Sequence, residues 1–118
     1  MVNLAINGFI FLHRGDTFKI PLIIKQCGIE NYIQDYIQTH SNITFYFGLL
    51  EPNQKFEDAV IRKILTSENI NEENNLILEF KSSDTEFLLP GKYYYTIKAE
   101  SDSGIDTVIP RTDFLILE

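Results

Sequence analysis

The chain has 118 residues, of which 44% are hydrophobic and 13% aromatic, and this length suits one domain, residues 1–118, with a single core. Its ten basic and seventeen acidic residues give a formal net charge of −7, which argues against a nucleic-acid backbone or an anionic membrane as partner. The single cysteine, Cys27, excludes an intrachain disulfide, and we expect it to be a small residue near a strand end.

Two strands are predicted before any helix. The first is expected at Phe9–His13, preceded by Val2–Ile6 as a short edge partner or leading arm, with a turn or bulge at Asn7-Gly8. The second, Thr17–Ile24, has the two-residue period of a half-buried strand. Because Pro21 has no N–H to donate, this second strand should lie at a sheet edge or contain a bulge.

The segment from Gln26 to Asn42 is the least strand-like part of the first half. Its apolar residues at positions 29, 32, 33, 36 and 37 have helical spacing, which predicts one short helix between two strands. The next run, Ile43–Leu50, predicts a strand that is apolar on nearly both faces. Such a strand is either covered on two sides or meets a partner, so Phe45, Phe47 and Leu49 are candidate partner contacts.

The middle of the chain predicts two further strands, Ala59–Thr66 and Leu76–Lys81, separated by an exposed acidic loop, Ser67–Asn75. Arg62 and Lys63 fall on opposite faces of the first of these strands. One of the two cations therefore needs either a surface edge or a carboxylate partner.

A structural corner is predicted at Pro90-Gly91, between the apolar run Thr85–Leu89, which leads into it as a strand, and the strand Lys92–Glu100. Pro90 fixes φ and Gly91 allows φ > 0, and together they favour a tight turn. The alternation after the corner places Tyr93, Tyr95 and Ile97 in the core and Tyr94 on the opposite face.

The chain closes with a hairpin loop at residues 101–104 and two strand segments, Ile105–Pro110 and Phe114–Leu117. Strands at this spacing, with one short helical insertion, predict an all-β fold. The expected architecture is a β-sandwich of seven or eight antiparallel strands in two sheets.

No constellation of residues in the sequence predicts catalysis, a cofactor or a metal site. His13 and His40 are far apart, without cysteines or carboxylates at metal-ligand spacing, and no local signature suggests a nucleophile with its base and acid. The N-terminal residues lack the basic region of a signal peptide, and no apolar run approaches the roughly 20 residues of a membrane helix. We therefore expect a non-enzyme that is made in a cytoplasm.

Two short segments carry a resemblance to a known family. Arg14-Gly15-Asp16-Thr17 links two predicted strands, and Leu89-Pro90-Gly91-Lys92-Tyr93-Tyr94-Tyr95 forms the later corner. With the order of strands and the closing Asp106-Thr107-Val108 segment, they resemble the N-terminal immunoglobulin-like domain of upper baseplate proteins of tailed phages and related small virion proteins. The Leu-x-Pro-Gly turn before a tyrosine is also similar to a corner of fibronectin type III domains.

The resemblance implies that the sandwich is immunoglobulin- or fibronectin-III-like. It also implies a non-catalytic bacteriophage virion structural protein, in the tail, the baseplate or the capsid decoration. Its partners would be other phage virion proteins and copies of itself in a symmetric assembly, with Arg14 and Asp16 among the contacts. Upper baseplate proteins continue into regions that hold receptor-binding proteins and that this sequence does not contain, so a free-standing adaptor or decoration protein is expected.

Two alternatives to the virion interpretation stay open. A bacterial fibronectin-III-like or carbohydrate-binding module would need an exposed aromatic platform, and the absence of tryptophan counts against it. For Arg14-Gly15-Asp16, a purely structural role is the other interpretation. Gly15 would let the chain kink between two strands, while Arg14 and Asp16 pair with each other or with loop backbone.

Overall fold

A computed structural model describes residues 3–4, 9–23 and 28–118. This described part of the chain is mostly β, which confirms the predicted all-β class. The strands are β1 (Asn3–Leu4), β2 (Ile10–His13), β3 (Phe18–Leu22), β4 (Thr44–Leu50), β5 (Ile61–Leu65), β6 (Leu76–Phe80), β7 (Gly91–Ser101) and β8 (Gly104–Leu117). The helices are α1 (Tyr32–Thr39) and α2 (Ser82–Thr85), with short 3₁₀ helices at Phe56–Asp58 and Ser67–Asn69.

The strands form a six-stranded sheet in the order β1-β2-β8-β7-β4-β5 and a two-stranded sheet of β3 and β6. Neighbouring strands are antiparallel except β2 and β8, which run parallel with Ile10 opposite Phe114 and Leu12 opposite Ile116. The prediction of a wholly antiparallel sandwich is therefore wrong at this pair. Because β2 and β8 come from opposite ends of the chain, no hairpin fixes their relative direction.

Aromatic rings join the two sheets. Phe80 of β6 stacks on Phe18 of β3, with ring centroids 4.8 Å apart. The same ring meets Phe47 of β4 edge-on at 5.6 Å and stacks on Phe114 of β8 at 5.7 Å. All four residues are buried, and pairs at such distances add about 0.5–1.5 kcal/mol beyond their area burial. The sheets thus pack face to face around one aromatic cluster.

Helix α1 lies between β3 and β4, where the helical spacing predicted it. Asn31 caps its start, because its side-chain oxygen accepts a hydrogen bond from the Gln34 N–H at 3.2 Å. Ile33 and Tyr36 are buried, and the Tyr36 hydroxyl donates to the Asp106 carboxylate of β8 at 3.0 Å. Burial is the main cause that raises the pKa of Tyr36, and the hydrogen bond to Asp106 raises it further.

The stretch Thr85–Leu89, predicted as a strand, is instead the end of α2 followed by an irregular loop. The Asp84 carboxylate accepts a hydrogen bond from the Lys81 N–H at 2.7 Å. A local side-chain bond of this kind favours a helical turn over an extended strand. The structure therefore has a second helix beyond the single insertion that was predicted.

Strand β8 runs without interruption through residues where two shorter strands were predicted. Between the pairs Tyr95–Thr112 and Ile97–Ile109, β7 contributes one residue and β8 contributes two. Pro110 consequently lies in a bulge, where its missing N–H costs no ladder hydrogen bond. The predicted hairpin loop before β8 is confirmed, since β7 ends at Ser101 and β8 begins at Gly104.

The first strand, β1, pairs antiparallel with β2, with Asn3 opposite Phe11. This pairing matches the short edge partner predicted for the region. The predictions for Asn7-Gly8 and Cys27 fall outside the described residues. Over residues 3–4, 9–23 and 28–118, no helix has both the length and the apolar character needed to span a membrane.

Candidate interaction surface

A tyrosine closes the corner at Pro90-Gly91. Gly91 is the first residue of β7 and has a φ of +152°, which is positive, as predicted. The Tyr93 hydroxyl donates to the carbonyl of Leu89, four residues upstream, at 2.7 Å. Tyr93 is buried, and this burial is the main cause that raises the pKa of its hydroxyl. The predicted faces of β7 are confirmed: Tyr93, Tyr95 and Ile97 are buried in the core, whereas Tyr94 is half-exposed on the opposite face.

The Arg14-Gly15-Asp16 turn lies against this corner. Gly15 has a φ of +84°, which provides the predicted kink, and its N–H donates to the buried Thr85 hydroxyl at 2.9 Å. The Arg14 guanidinium donates to the Leu88 carbonyl at 3.4 Å, so Arg14 does bond loop backbone. The fold thus brings together the two segments that carry the family resemblance.

The end of β8 also contacts this turn. The Arg14 N–H donates to the Leu117 carbonyl at 2.7 Å, and the guanidinium lies 3.7 Å from the Glu118 carboxylate, with side-chain exposures of 35% and 85%. An ion pair this exposed contributes at most about 1 kcal/mol. The Arg14 side chain is therefore accessible to a partner, while Asp16 is half-buried in the turn.

Two large apolar side chains project from the loop that these hydrogen bonds hold. Phe87 is 84% exposed and Leu89 is 76% exposed, although Leu88 between them packs against the core. Apolar side chains exposed together on a fixed loop are typical of interaction sites, unlike scattered single ones. We refer to Arg14, Phe87 and Leu89 as the corner surface.

Sequence reasoning identified Arg14 but missed Phe87 and Leu89. The run Phe87-Leu88-Leu89 has no polar residue between its members, and it ends at a Pro-Gly pair. An unbroken apolar run before a turn favours a buried strand, so the sequence contains no local signal of this exposure. Treating the run as a strand assigned these side chains to a sheet instead.

The other three predicted contact residues lie in the core. Phe45, Phe47 and Leu49 are at most 1% exposed, so their side chains are not available to a partner in the folded chain. All three side chains instead pack inside the hydrophobic core. On the outer face of β4, the Phe56 ring covers Gly48, where an added Cβ would lie 2.8 Å from the ring.

Lys63 has the carboxylate partner that its inward position requires. Its ammonium lies 3.0 Å from the Asp84 carboxylate and 4.9 Å from the centroid of the Phe80 ring. Burial acts to raise the pKa of Asp84, but hydrogen bonds from the Lys81 N–H and from Lys63 outweigh it, so the pKa is lowered. Arg62 lies on the opposite face and is exposed, which confirms the predicted split of the two cations.

Comparison with known proteins finds no matching family model and no significant match among curated proteins. In the described part of the chain, no group of three or more His, Cys, Asp or Glu side chains is placed to hold a metal ion.

Proposed function

We propose that this chain is a non-catalytic structural protein of a tailed-phage virion that acts through protein–protein contacts at the corner surface. The observation that carries the proposal is the exposure of Phe87 and Leu89 on a loop fixed beside Arg14. Aromatic residues, including Phe, and arginine are enriched in protein interfaces relative to the rest of the surface. A loop already fixed by hydrogen bonds loses little conformational entropy when it binds.

The order of the strands supports an immunoglobulin-like module. Strands β4, β7 and β8 are neighbours in one sheet, as strands C, F and G are in immunoglobulin domains. In the same comparison, β5 has the position of strand C′. The two-stranded sheet of β3 and β6 corresponds to strands B and E. The hydrogen bond from Tyr93 to Leu89 has the form of the tyrosine corner near the start of strand F. The parallel pairing of β2 with β8 is compatible with this comparison, because it only extends the sheet beyond β8.

The placement in a virion rests on the family resemblance of the Arg14-Gly15-Asp16-Thr17 and Pro90-Gly91-Lys92-Tyr93 segments. The partners proposed are other virion proteins of the tail, the baseplate or the capsid, together with further copies of this chain around a symmetry axis. A small apolar patch suits such an assembly, since many weak contacts in a symmetric array reinforce one another.

Mass spectrometry of purified phage particles tests the proposal. The double variant Phe87→Ser/Leu89→Ser should fold like the wild type, because both side chains are exposed, yet be lost from the particles. The matched control is Ile105→Ser, which changes a 69% exposed residue beside the hairpin at the opposite end of β7, roughly 33 Å away along the strand. Particles that retain the double variant would contradict the role of the corner surface, and glycan-array binding would favour the carbohydrate-binding alternative.

A further inference from the structure

We propose that the free edge of β5 is a docking site for an extended acidic segment of a partner protein, which adds to the six-stranded sheet as a further strand. β5 pairs with β4 on one side, and no strand in the described part of the chain pairs with its other side. An edge strand presents unpaired N–H and C=O groups that another chain can bond. This site is distinct from the corner surface, and it does not depend on the virion assignment.

Two of the features that usually protect a sheet edge, a proline and a β-bulge, are absent from β5. Residues 59–65 contain no proline, and the pairing with β4 is regular from Phe45–Leu65 to Leu49–Ile61, without a bulge. An inward-pointing charge near an edge normally opposes the addition of a strand. Here that charge, Lys63, is already paired with Asp84, so an added strand leaves it satisfied.

A groove on the outer face of β4 and β5 adjoins the position of the added strand. It has a volume of about 390 Å³ and lies between β5 and the 3₁₀ helix Phe56–Asp58, with Tyr46, Phe56 and Ile64 among its lining residues. Ile64 is 65% exposed. Arg62 and Ile64 are two residues apart on the outer face of β5, so they would lie opposite alternate residues of an added strand.

Charge complementarity identifies the segment as acidic. The Arg62 side chain is exposed, and it has no hydrogen-bond or ion-pair partner within residues 3–4, 9–23 and 28–118. Lys98 is a further cation on this face, 4.9 Å from the centroid of the Phe56 ring. The carboxylates on this face are Glu57, which lines the groove, and Glu100, which accepts a hydrogen bond from the Tyr46 hydroxyl at 3.2 Å. A second copy of β5 would add another Arg62 to the same face and, because residues 61–65 contain no Asp or Glu, would bring no carboxylate on that strand to pair with either arginine.

The expected segment therefore has a carboxylate opposite Arg62 and an apolar residue opposite Ile64. These two residues are separated by one position, because side chains two apart in a strand share a face. Main-chain hydrogen bonds to the edge provide affinity, and the two alternating side chains provide selectivity.

The test uses a fluorescein-labelled peptide with isoleucine and glutamate two positions apart and threonine at the other positions. Fluorescence anisotropy measures its Kd for the purified full chain, and hydrogen exchange reports protection of the β5 amides. We expect Arg62→Gln and Ile64→Thr each to weaken binding about fivefold, equivalent to about 1 kcal/mol. Lys19→Gln is the matched control, because Lys19 is an exposed cation on β3 of the other sheet, and it should leave the Kd unchanged.

A wild-type chain that does not bind the peptide would overturn the inference, as would binding that is insensitive to Arg62→Gln or leaves the β5 amides unprotected. Dimerisation in analytical ultracentrifugation that Ile64→Thr abolishes would also overturn it, and would assign the edge to a second copy.

Discussion

Removal of the Tyr93 hydroxyl should cost the folded chain about one hydrogen bond. In Tyr93→Phe the ring keeps its burial, since Tyr93 is 6% exposed, and the loss is confined to the 2.7 Å bond to the Leu89 carbonyl. Leu89 is itself largely exposed, so water can solvate the carbonyl that is left. We therefore expect the free energy of unfolding to fall by about 1 kcal/mol, without the larger penalty of a buried unsatisfied group.

Urea unfolding followed by far-UV circular dichroism measures this change. The midpoint should fall while the slope m stays constant, and Tm should fall by about 4 °C for a chain of this length. The matched control is Tyr94→Phe, because the Tyr94 ring lies on the other face of β7. The guanidinium carbon of Arg111 is 4.5 Å from the centroid of that ring. The Tyr94 hydroxyl makes no hydrogen bond within the described residues, so its removal should change stability by less than about 0.5 kcal/mol. Equal stabilities of the two variants would refute the stabilising role of the corner hydrogen bond.

Three further predictions concern the Lys63–Asp84 ion pair, the core residue Phe80 and the exposed residue Phe87. Asp84→Asn should cost about 1.5–3 kcal/mol near neutral pH, because it weakens charge-assisted hydrogen bonds from Lys63 and the Lys81 N–H. The folded-state pKa of Asp84 is lowered from 3.8, so this stability is present above that value and is lost as the pH falls through the folded-state pKa, as urea unfolding across the acid range can measure. Phe80→Ala should cost about 3–5 kcal/mol in the same assay, because its ring packs on both sheets. Phe87→Ala should change stability by less than about 0.5 kcal/mol, because the side chain is 84% exposed.

Each of these predictions has an outcome that contradicts it. The free energies of unfolding of the wild type and of Asp84→Asn should become more similar at acid pH. If their difference does not shrink, the ionised carboxylate is excluded as the source of the stability. If Phe80→Ala and Phe87→Ala lower the free energy of unfolding by similar amounts, the aromatic cluster does not hold the two sheets together.

Sequence reasoning succeeded where the signal was local. The two-residue period fixed the buried face of β7, and the three- to four-residue period located α1. The opposite faces of Arg62 and Lys63 followed from the same strand geometry, which predicted that one of the two cations needs a surface edge or a carboxylate partner. These patterns depend on neighbours within one element, so one sequence contains them in full.

Most of the errors involve contacts between distant parts of the chain, although the Lys81–Asp84 hydrogen bond that favours α2 is local. The parallel pairing of Ile10 with Phe114 is decided by how the chain returns to the sheet edge. α2 is stabilised in part by Thr85, which accepts a hydrogen bond from Gly15, 70 residues earlier. Pro110 marked a break in the sequence pattern, but the fold accommodates it as a bulge because β7 continues on the other side.

The same limit applies to the corner surface. Arg14 could be identified from its turn, but the exposure of Phe87 and Leu89 depends on the path of the loop after α2. The candidate contacts on β4 were misplaced because an apolar strand with two apolar faces does not reveal which face meets the core. Phe56, supplied by a 3₁₀ helix beyond the strand, covers part of the outer face.

The most direct test of the proposed function is quantitative mass spectrometry of purified phage particles that carry either the wild-type chain or Phe87→Ser/Leu89→Ser. The proposal predicts the wild-type chain in a fixed ratio to the other structural proteins, and the double variant folded in the lysate but missing from the particles. A wild-type chain that stays in the soluble lysate and is absent from the particles would contradict the proposal.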